Sequence, residues 1–281
     1  MSRRETLIST AIMATAILSA PILPAHAADD DDSNNLASEI LDRLGNIPTF
    51  CLVQPDGTPF MIFNGERSAT GFFFLSYNMA QTALQDAITK DKNKEAGAIW
   101  ERAAVRVVPL SVAMQLSLYG PRERIATNTD KSISGKKMNT YADIVMSEEG
   151  NLDARRLDRE RKNPNPQRWS NTKGRIPVFH VDGMTTKSGK DAWYFNIADL
   201  KADYKQQHDG QALVGNDGIE SMEMMDVFRK ASRKDEWTPL QNIRFMPVPE
   251  SKQVAVQIVK KQQAEENPYD FDKVFLVSSS K

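Results

Sequence analysis

The sequence predicts an α+β fold made of two related β-β-β-α-β halves arranged about a pseudo-twofold axis. An Ile-Pro-x-Phe motif occurs twice, at residues 47–50 and 176–179. Each copy is followed by an aromatic strand, a capped helix and a strand that contains x-Arg-x-x-Pro. This ordered agreement indicates an internal repeat. A unit of this kind cannot bury its sheet face alone, so we expect the two halves to pack against each other.

The first 27 residues predict a cleavable export signal. Arg3 and Arg4 precede an apolar run at 7–23, and small residues around Ala27 precede four aspartates. The paired arginines resemble a Tat signal, and an ordinary secretory signal remains the alternative. The apolar run is shorter than the ~20 residues that span a bilayer core, so it is not predicted to be a transmembrane helix. It is removed together with the signal, and we expect no stable membrane insertion of the mature chain.

The next segments are an acidic lead-in at 28–43, disordered or helical, and the first half at 44–120. A Gln-Pro-Asp-Gly turn joins two apolar strands, which predicts a hairpin. Ser76 is placed to cap a helix whose apolar residues recur every four positions. The predicted elements of this half are strands at 50–53, 60–63, 72–75 and 105–110 and a helix from Ser76.

A charged linker or insertion at 121–173 is predicted between the halves, because this stretch holds 12 Lys and Arg and 8 Asp and Glu with prolines near its end, and residues 154–162 within it read as a mixed-charge helix. The second half spans 174–281. There, Asn196 and Asp199 form a capping-box pattern that begins a helix. The other predicted elements are an Ile-Pro-Val-Phe strand, a turn at 187–190, strands at 193–195 and 243–248, a polar helix at 257–267 and an apolar strand at 274–277.

Composition excludes several functional classes. Lys and Arg total 36 against 37 Asp and Glu, a net charge of -1, so no basic surface favours nucleic acid. One cysteine and three histidines cannot build a Cys/His zinc site. The glycines at 210–218 lack the spacing of a phosphate loop, and the aspartates at 29–32 lack the spacing of a calcium loop. We therefore expect neither a metal nor another cofactor.

These motifs resemble the 22 kDa component of the chloroplast inner-envelope translocon, a member of the Tic family. The resemblance covers residues 44–248 and rests on Leu-x-x-Ile-Pro-x-Phe, Val-x-x-Val-Pro-Leu, the second Ile-Pro-Val-Phe and Trp-Tyr-Phe before Asp-Leu. It implies a cofactor-free, non-enzymatic protein that assists precursor proteins between two membranes, with translocon or outer-membrane assembly components as partners. The implied compartment is the chloroplast intermembrane space or thylakoid lumen, or the periplasm in a cyanobacterium. The charged linker and the Tat-like N-terminus depart from the family pattern.

A chaperone-like factor needs a surface for extended client chains. Pro48 and Pro177 cannot donate a backbone hydrogen bond, which predicts sheet edges or strand starts and an apolar groove beside each aromatic strand. Successive side chains of a strand point to opposite faces, so only part of each aromatic group can face a groove. The client-binding candidates are Phe72, Phe74, Trp193 and Phe195. The methionines at 222–225 are interpreted as core or as adaptable client surface.

An exported thiol-dependent enzyme is the alternative function. Cys51 and His180 follow the phenylalanine of each Ile-Pro-x-Phe motif, so the repeat places them at equivalent positions. A Cys/His pair is the minimum for a thiol nucleophile. Structural roles at strand ends are the competing interpretation, and the absence of Cys-x-x-Cys excludes thioredoxin chemistry.

Overall fold

The computed structural model describes residues 39–55, 57, 59–63, 68–91, 100–118, 122–125, 137–146, 148–161, 175–231 and 239–264. The predicted signal, residues 28–38 of the lead-in and the predicted strand at 274–277 lie outside these ranges. Within them, no helix combines the length and the apolar character needed to cross a membrane.

The first sheet has six strands in the order β4-β1-β3-β6-β5, and β2 pairs with β3 beside this path. The pairing of β3 with β6 is parallel, and the other pairings are antiparallel. The strands are β1 (Pro48–Val53), β2 (Met61–Phe63), β3 (Ser68–Phe74), β4 (Ala104–Pro109), β5 (Arg122–Ile125) and β6 (Lys137–Val145).

The second sheet has four strands in the order β10-β8-β7-β9. The pairing of β8 with β10 is parallel, and β7 pairs antiparallel with both β8 and β9. The strands are β7 (Pro177–Val181), β8 (Asp191–Tyr194), β9 (Ile219–Glu223) and β10 (Ile243–Met246).

The longer helices follow the strands closely along the chain. A short helical segment at 39–44 and a 3-10 helix at Leu240–Asn242 lie beside them. The helices are α1 (Tyr77–Asp91), α2 (Leu110–Leu118), α3 (Glu148–Glu160), α4 (Ile197–Gln207), α5 (Met224–Ala231) and α6 (Pro249–Ala264). The architecture confirms the α+β class.

The inner faces of both sheets share one core, together with α2 and α5. We call it the inner core. Alternation along β1 sends Cys51 and Val53 into it, and alternation along β7 sends Val178. Its larger members are Phe73, Leu110, Met114, Ile176, Trp193, Phe195, Phe228 and Phe245.

The outer face of each sheet is covered by helices from both halves of the chain. Phe50 of β1 packs in a cluster with Leu84 of α1 and Ala255 of α6. Phe179 of β7 packs in a second cluster with Leu200 of α4 and Leu157 of α3. The chain therefore exchanges its helices, because α3 follows the first sheet but covers the second, and α6 follows the second sheet but covers the first.

Local hydrogen bonds explain where the helices begin. Asn196 Oδ1 accepts the Asp199 N–H at 2.7 Å, and Asn196 Nδ2 lies 2.6 Å from Asp199 Oδ2, which confirms the predicted cap. At the start of α1, the Tyr77 N–H donates to Ser251 Oγ of α6 at 3.1 Å. An exchanged helix thus satisfies one of the backbone donors that the start of α1 leaves without an intrahelical partner.

The predicted repeat assigned the wrong fourth strand to the second half. The strand at 243–248 was matched to β4, but β4 pairs antiparallel with β1 whereas β10 pairs parallel with β8. The pairing partner of β7 is β9, which the sequence prediction missed. No described strand follows β7 in the place of β2, because that segment contributes only the isolated bridge between Thr185 and Asp191.

The prediction that residues 121–173 lie outside the core is wrong for the part of this stretch that the structure describes. This part contains β5 and β6 as well as α3, which overlaps the helix expected at 154–162, and β6 lies inside the first sheet beside β3. The stretch Tyr-Ala-Asp-Ile-Val at 141–145 carries β-branched and aromatic residues that fit a strand, but the surrounding charges dominated the composition.

The prolines of both motifs stand at strand starts and not at sheet edges. Pro48 begins β1 and Pro177 begins β7, and each of these strands has a neighbour on both sides. The predicted polar helix at 257–267 also begins earlier than expected, at Pro249, a residue type suited to the first helical position.

Candidate client-binding surface

Strand β3 divides its aromatic residues between two faces. Phe73 is 1% exposed and, with Leu75, belongs to the inner core. Phe72 and Phe74 point to the outer face and remain partly exposed. Phe74 also packs against the cluster that contains Phe50, Leu84 and Ala255. The side chains of this strand therefore alternate between the two faces, as expected for a β-strand.

The parallel neighbour β6 widens this outer surface. Its register places Thr70 beside Tyr141, Phe72 beside Asp143 and Phe74 beside Val145. Helix α2 packs against β6, and its residues belong to the inner core together with Ile144. We call the partly exposed apolar residues of this face the outer strip: Phe72, Phe74, Tyr141 and Val145.

Sequence reasoning missed the two members of the outer strip on β6. Tyr141 and Val145 fall in the segment interpreted as a linker. The alternation of Tyr141, Asp143 and Val145 with Ala142 and Ile144 is the signal that identifies a two-faced strand there.

Trp193 and Phe195 do not lie where a client could touch them, and this corrects the prediction for the second half. Trp193 is 2% exposed and Phe195 is 4% exposed. The Trp193 ring stacks on His180 with 4.8 Å between ring centroids, and the Phe195 ring lies 6.3 Å from that of Phe245. Both residues pack in the inner core.

The predicted exposed apolar patch of the second half is likewise absent from the described residues. Among them, the exposed large hydrophobic side chains are Leu152 on α3, Val214 in a loop and Val256 on α6. These three residues lie on separate elements, and single exposed apolar side chains are common on protein surfaces.

The methionine segment at 222–225 is mainly core. Met224 is fully buried in the inner core, and Met222 and Met225 pack against it. Glu223 lies between them with its Oε2 accepting the Asp226 N–H at 3.1 Å, which caps α5. Burial raises the pKa of the Glu223 carboxyl above its ordinary value.

Cys51 and His180 occupy different environments. Cys51 is buried in the inner core, and burial raises the pKa of its thiol to about 12, against a smaller opposing effect of Arg106. The His180 Nδ1 lies 3.0 Å from the Ala192 carbonyl oxygen, and its Nε2 lies 3.9 Å from Asp182 Oδ1. These contacts orient the imidazole toward its own sheet, and within the described residues none joins it to the Cys51 sulfur.

The thiol should therefore be inert in the folded protein. With a pKa near 12, roughly one Cys51 in 10⁴ is a thiolate at pH 8. We expect an aromatic disulfide reagent at pH 8 to label Cys51 only after denaturant is added. A stoichiometric reaction with native protein within seconds would contradict the buried position and revive the thiol-enzyme alternative.

The described residues also lack a grouping of three or more His, Cys, Asp or Glu side chains that could hold a metal ion. Polar side chains on and just before α4 form hydrogen bonds with each other. The Tyr194 hydroxyl donates to Asp203 Oδ2 at 2.9 Å. Burial raises the pKa of Asp199, with the neighbouring Asp203 and Glu250 adding to the effect.

Comparison with known proteins identifies the fold. No protein-family model matches the sequence, and no curated protein matches it either. Among solved structures, Anabaena Tic22, described as a protein-transport protein, is 18% identical, with a TM-score of 0.54 over 79% of this chain and 96% of the other. Tic22 from Plasmodium falciparum is 17% identical, with a TM-score of 0.56 over 79% of this chain and 98% of the other.

Both structures bear the name of the family that the sequence motifs resemble. At these identities the likeness concerns the fold, and it extends over nearly the whole length of each relative. The chain therefore has a Tic22-like fold.

Proposed function

We propose that this protein is a chaperone-like factor that binds extended client chains without covalent chemistry during transport between two membranes. The observation that carries the proposal is the fold match to Anabaena Tic22, described as a protein-transport protein. The inert environment of Cys51 supports a binding role over thiol catalysis.

The outer strip is the proposed client-binding surface. A partly exposed aromatic and aliphatic face on a rigid parallel strand pair offers apolar contact to alternate side chains of an extended polypeptide. Phe72 is the central candidate, since it is partly exposed and lies beside the carboxylate-bearing Asp143 in the register of β3 and β6. Trp193 and Phe195 take no part in this proposal.

The proposed partners are unfolded precursor proteins and components of a translocon or of outer-membrane assembly. The proposed compartment is a plastid intermembrane space or thylakoid lumen, or the periplasm if the source is cyanobacterial. The fold match supports both assignments, and the predicted export signal at 1–27 agrees with them.

We also propose that the two halves are related by a pseudo-twofold axis, with a corrected repeat. The orders β4-β1-β3-β6 and β9-β7-β8-β10 have the same sequence of antiparallel, antiparallel and parallel pairings. The Leu110 N–H donates to the Ile47 carbonyl at 2.8 Å, and the Met224 N–H donates to the Ile176 carbonyl at 2.9 Å, which supports this matching.

Client binding is tested with the mature chain, residues 28–281. We expect it to slow the aggregation of a chemically unfolded client, and we expect Phe72→Ser to weaken this effect about tenfold while the melting temperature stays within a few degrees. The physical reason is that Phe72 is partly exposed and its loss leaves the inner core intact. Aggregation is followed by light scattering and stability by thermal unfolding.

Two variants control for this result. Val214→Ser removes an apolar side chain that is 79% exposed on a loop outside the outer strip, so it should change neither quantity. Phe73→Ser replaces the inward neighbour of Phe72 and should destabilise the protein strongly. Unchanged client protection by Phe72→Ser would place the binding surface elsewhere, and no protection by the unmodified chain would refute the proposed function.

A further inference from the structure

Glu223, the last residue of β9, has a buried carboxyl group with one unsatisfied oxygen. The residue is 9% exposed. Its Oε2 accepts the Asp226 N–H at 3.1 Å, and among the described residues no group donates a hydrogen bond to its Oε1. A buried carboxylate needs hydrogen-bond donors or a cation to balance its charge. The surroundings of Glu223 therefore favour the neutral carboxyl.

A second negative charge strengthens this preference. Burial is the main cause of the raised pKa of Glu223, and the Asp226 carboxylate raises it further. The backbone N–H groups of Met225, Asp226 and Ile176 favour the charged form, but they do not offset the burial. Asp226 is itself paired with Arg229, with 2.5 Å between Oδ1 and Nη1, and both side chains are exposed.

The other elements that pack against β9, which are β7 and α3, bring charged or titratable groups to the other end of the strand. The Arg161 guanidinium of α3 donates to the backbone carbonyl of the first residue of β9. His180 of β7 lies opposite Glu220 in the register. Among the described charged side chains, Asp226 is the one that shifts the pKa of Glu223.

The first sheet shows that the fold does not need a carboxyl group at this place. Pro109 is the last residue of β4 and pairs with Pro48, as Glu223 is the last residue of β9 and pairs with Pro177. A helix begins directly after each of them, α2 in the first case and α5 in the second. Helix α2 begins after an uncharged residue, so the carboxyl of Glu223 is an addition to the shared architecture.

Helix α5 connects this carboxyl to the inner core. Met224, Val227, Phe228 and Ala231 of this helix all pack in that core, which contains residues of both sheets. The Phe228 ring lies 5.1 Å from the Phe245 ring of β10. A change at the first turn of α5 therefore acts on the contact between the two sheets.

We propose that Glu223 is a pH-responsive lock on α5: its carboxyl is neutral and stays buried in mild acid, and its ionisation toward neutral pH loosens the start of the helix. The physical reason is that an ionised carboxylate gains hydration by moving toward water. Glu223 directly precedes α5 and holds the Asp226 N–H, so its carboxylate cannot leave without disturbing the first turn.

The direction of the pH dependence follows from the raised pKa. The ordinary pKa of a glutamate is 4.5, and that of Glu223 lies above it in the folded chain. The folded chain therefore binds this proton more strongly than the unfolded chain does. The resulting stabilisation is fully present below pH 4.5 and is lost as the pH rises through the raised pKa.

Amide hydrogen exchange of α5 in the mature chain tests the proposal. We expect the protection factors of the α5 amides, which correct for the intrinsic pH dependence of exchange, to fall about tenfold between pH 5 and pH 8. Glu223→Gln keeps an oxygen that can accept the Asp226 N–H but cannot ionise, so its protection should change less than about twofold. Mass spectrometry of peptides that cover α5 measures both.

Glu101→Gln is the matched control, because Glu101 is exposed in the turn before β4 and the chemical change is the same. This variant should keep the tenfold fall of the unmodified chain. An equal fall in Glu223→Gln would assign the pH dependence to other groups and overturn the proposal. Low protection of α5 in Glu223→Gln at both pH values would reduce Glu223 to an ordinary helix cap and would overturn it as well.

A measurement on the unmodified chain decides if Glu223→Gln does not fold. The carbon-13 resonance of the Glu223 carboxyl is followed by nuclear magnetic resonance as the pH is changed. A midpoint above 4.5 that coincides with the loss of α5 protection supports the lock. A midpoint at or below 4.5, or one that does not coincide with this loss, overturns it. No client is present in any of these experiments, so their results are independent of the proposed function.

Discussion

Replacing Trp193 by alanine should lower the free energy of unfolding by about 3–5 kcal/mol, the range for a buried aromatic residue reduced to a methyl group. Trp193 is 2% exposed and lies in the inner core, with its ring stacked on His180. The substitution removes apolar contacts from the inner core and leaves a cavity there. Against a total of about 5–15 kcal/mol for a typical domain, this loss is large.

The measurement is urea unfolding followed by circular dichroism. Val214→Ala is the matched control, because Val214 is 79% exposed and its loss should change the unfolding free energy by about 0.5 kcal/mol or less. If Trp193→Ala does not fold, Trp193→Phe keeps an aromatic ring and should retain part of the stability. A Trp193→Ala variant as stable as Val214→Ala would show that this residue does not lie in the core and would restore it as a client-binding candidate.

The contrast between Trp193 and Phe72 shows how far the sequence determines the site. Both residues belong to aromatic strands after an Ile-Pro-x-Phe motif, and alternation predicts that some aromatic side chains of each strand face outward. It does not predict what covers the outer face. In β8 the outward Tyr194 is covered by α4 and α3 and donates to Asp203, whereas the outer strip on β3 and β6 stays partly exposed.

The fold shows the same division between local and distant information. The cap at Asn196 and the turn at 187–190 depend on neighbours in sequence, and both were predicted. The pairing of β9 with β7 and the insertion of β6 beside β3 depend on residues far apart in the chain. Composition misled the prediction for β6, because charged residues surround its apolar positions.

The exchanged helices make each half incomplete, and cutting the chain should reveal it. A break after Pro164 falls outside the described residues and leaves every described helix and strand whole. It gives fragments 28–164 and 165–281, which separate α3 from the sheet it covers and α6 from the other sheet. We expect neither fragment alone to show a cooperative thermal transition, and we expect an equimolar mixture to recover one. Near-ultraviolet circular dichroism follows the recovery.

The physical reason lies in three buried surfaces that the cut opens together. The inner core contains residues of both fragments, including Phe73 from the first and Trp193 from the second. The cluster outside the second sheet loses Leu157, and the cluster outside the first sheet loses Ala255. Apolar burial of this extent is the main favourable contribution to folding, so each fragment lacks the contacts that offset its chain entropy.

A pair of substitutions in α3 separates the exchanged contact from general damage to the helix. Leu157→Ser removes a side chain that is 1% exposed against the second sheet, and it should weaken reassembly of the fragments about tenfold or more. Leu152→Ser makes the same chemical change five residues earlier, where the side chain is 50% exposed, and it should leave reassembly nearly unchanged. Equal effects of the two variants would mean that Leu157 does not stabilise the second sheet. A cooperative transition in either fragment alone would mean that this half is an independent folding unit.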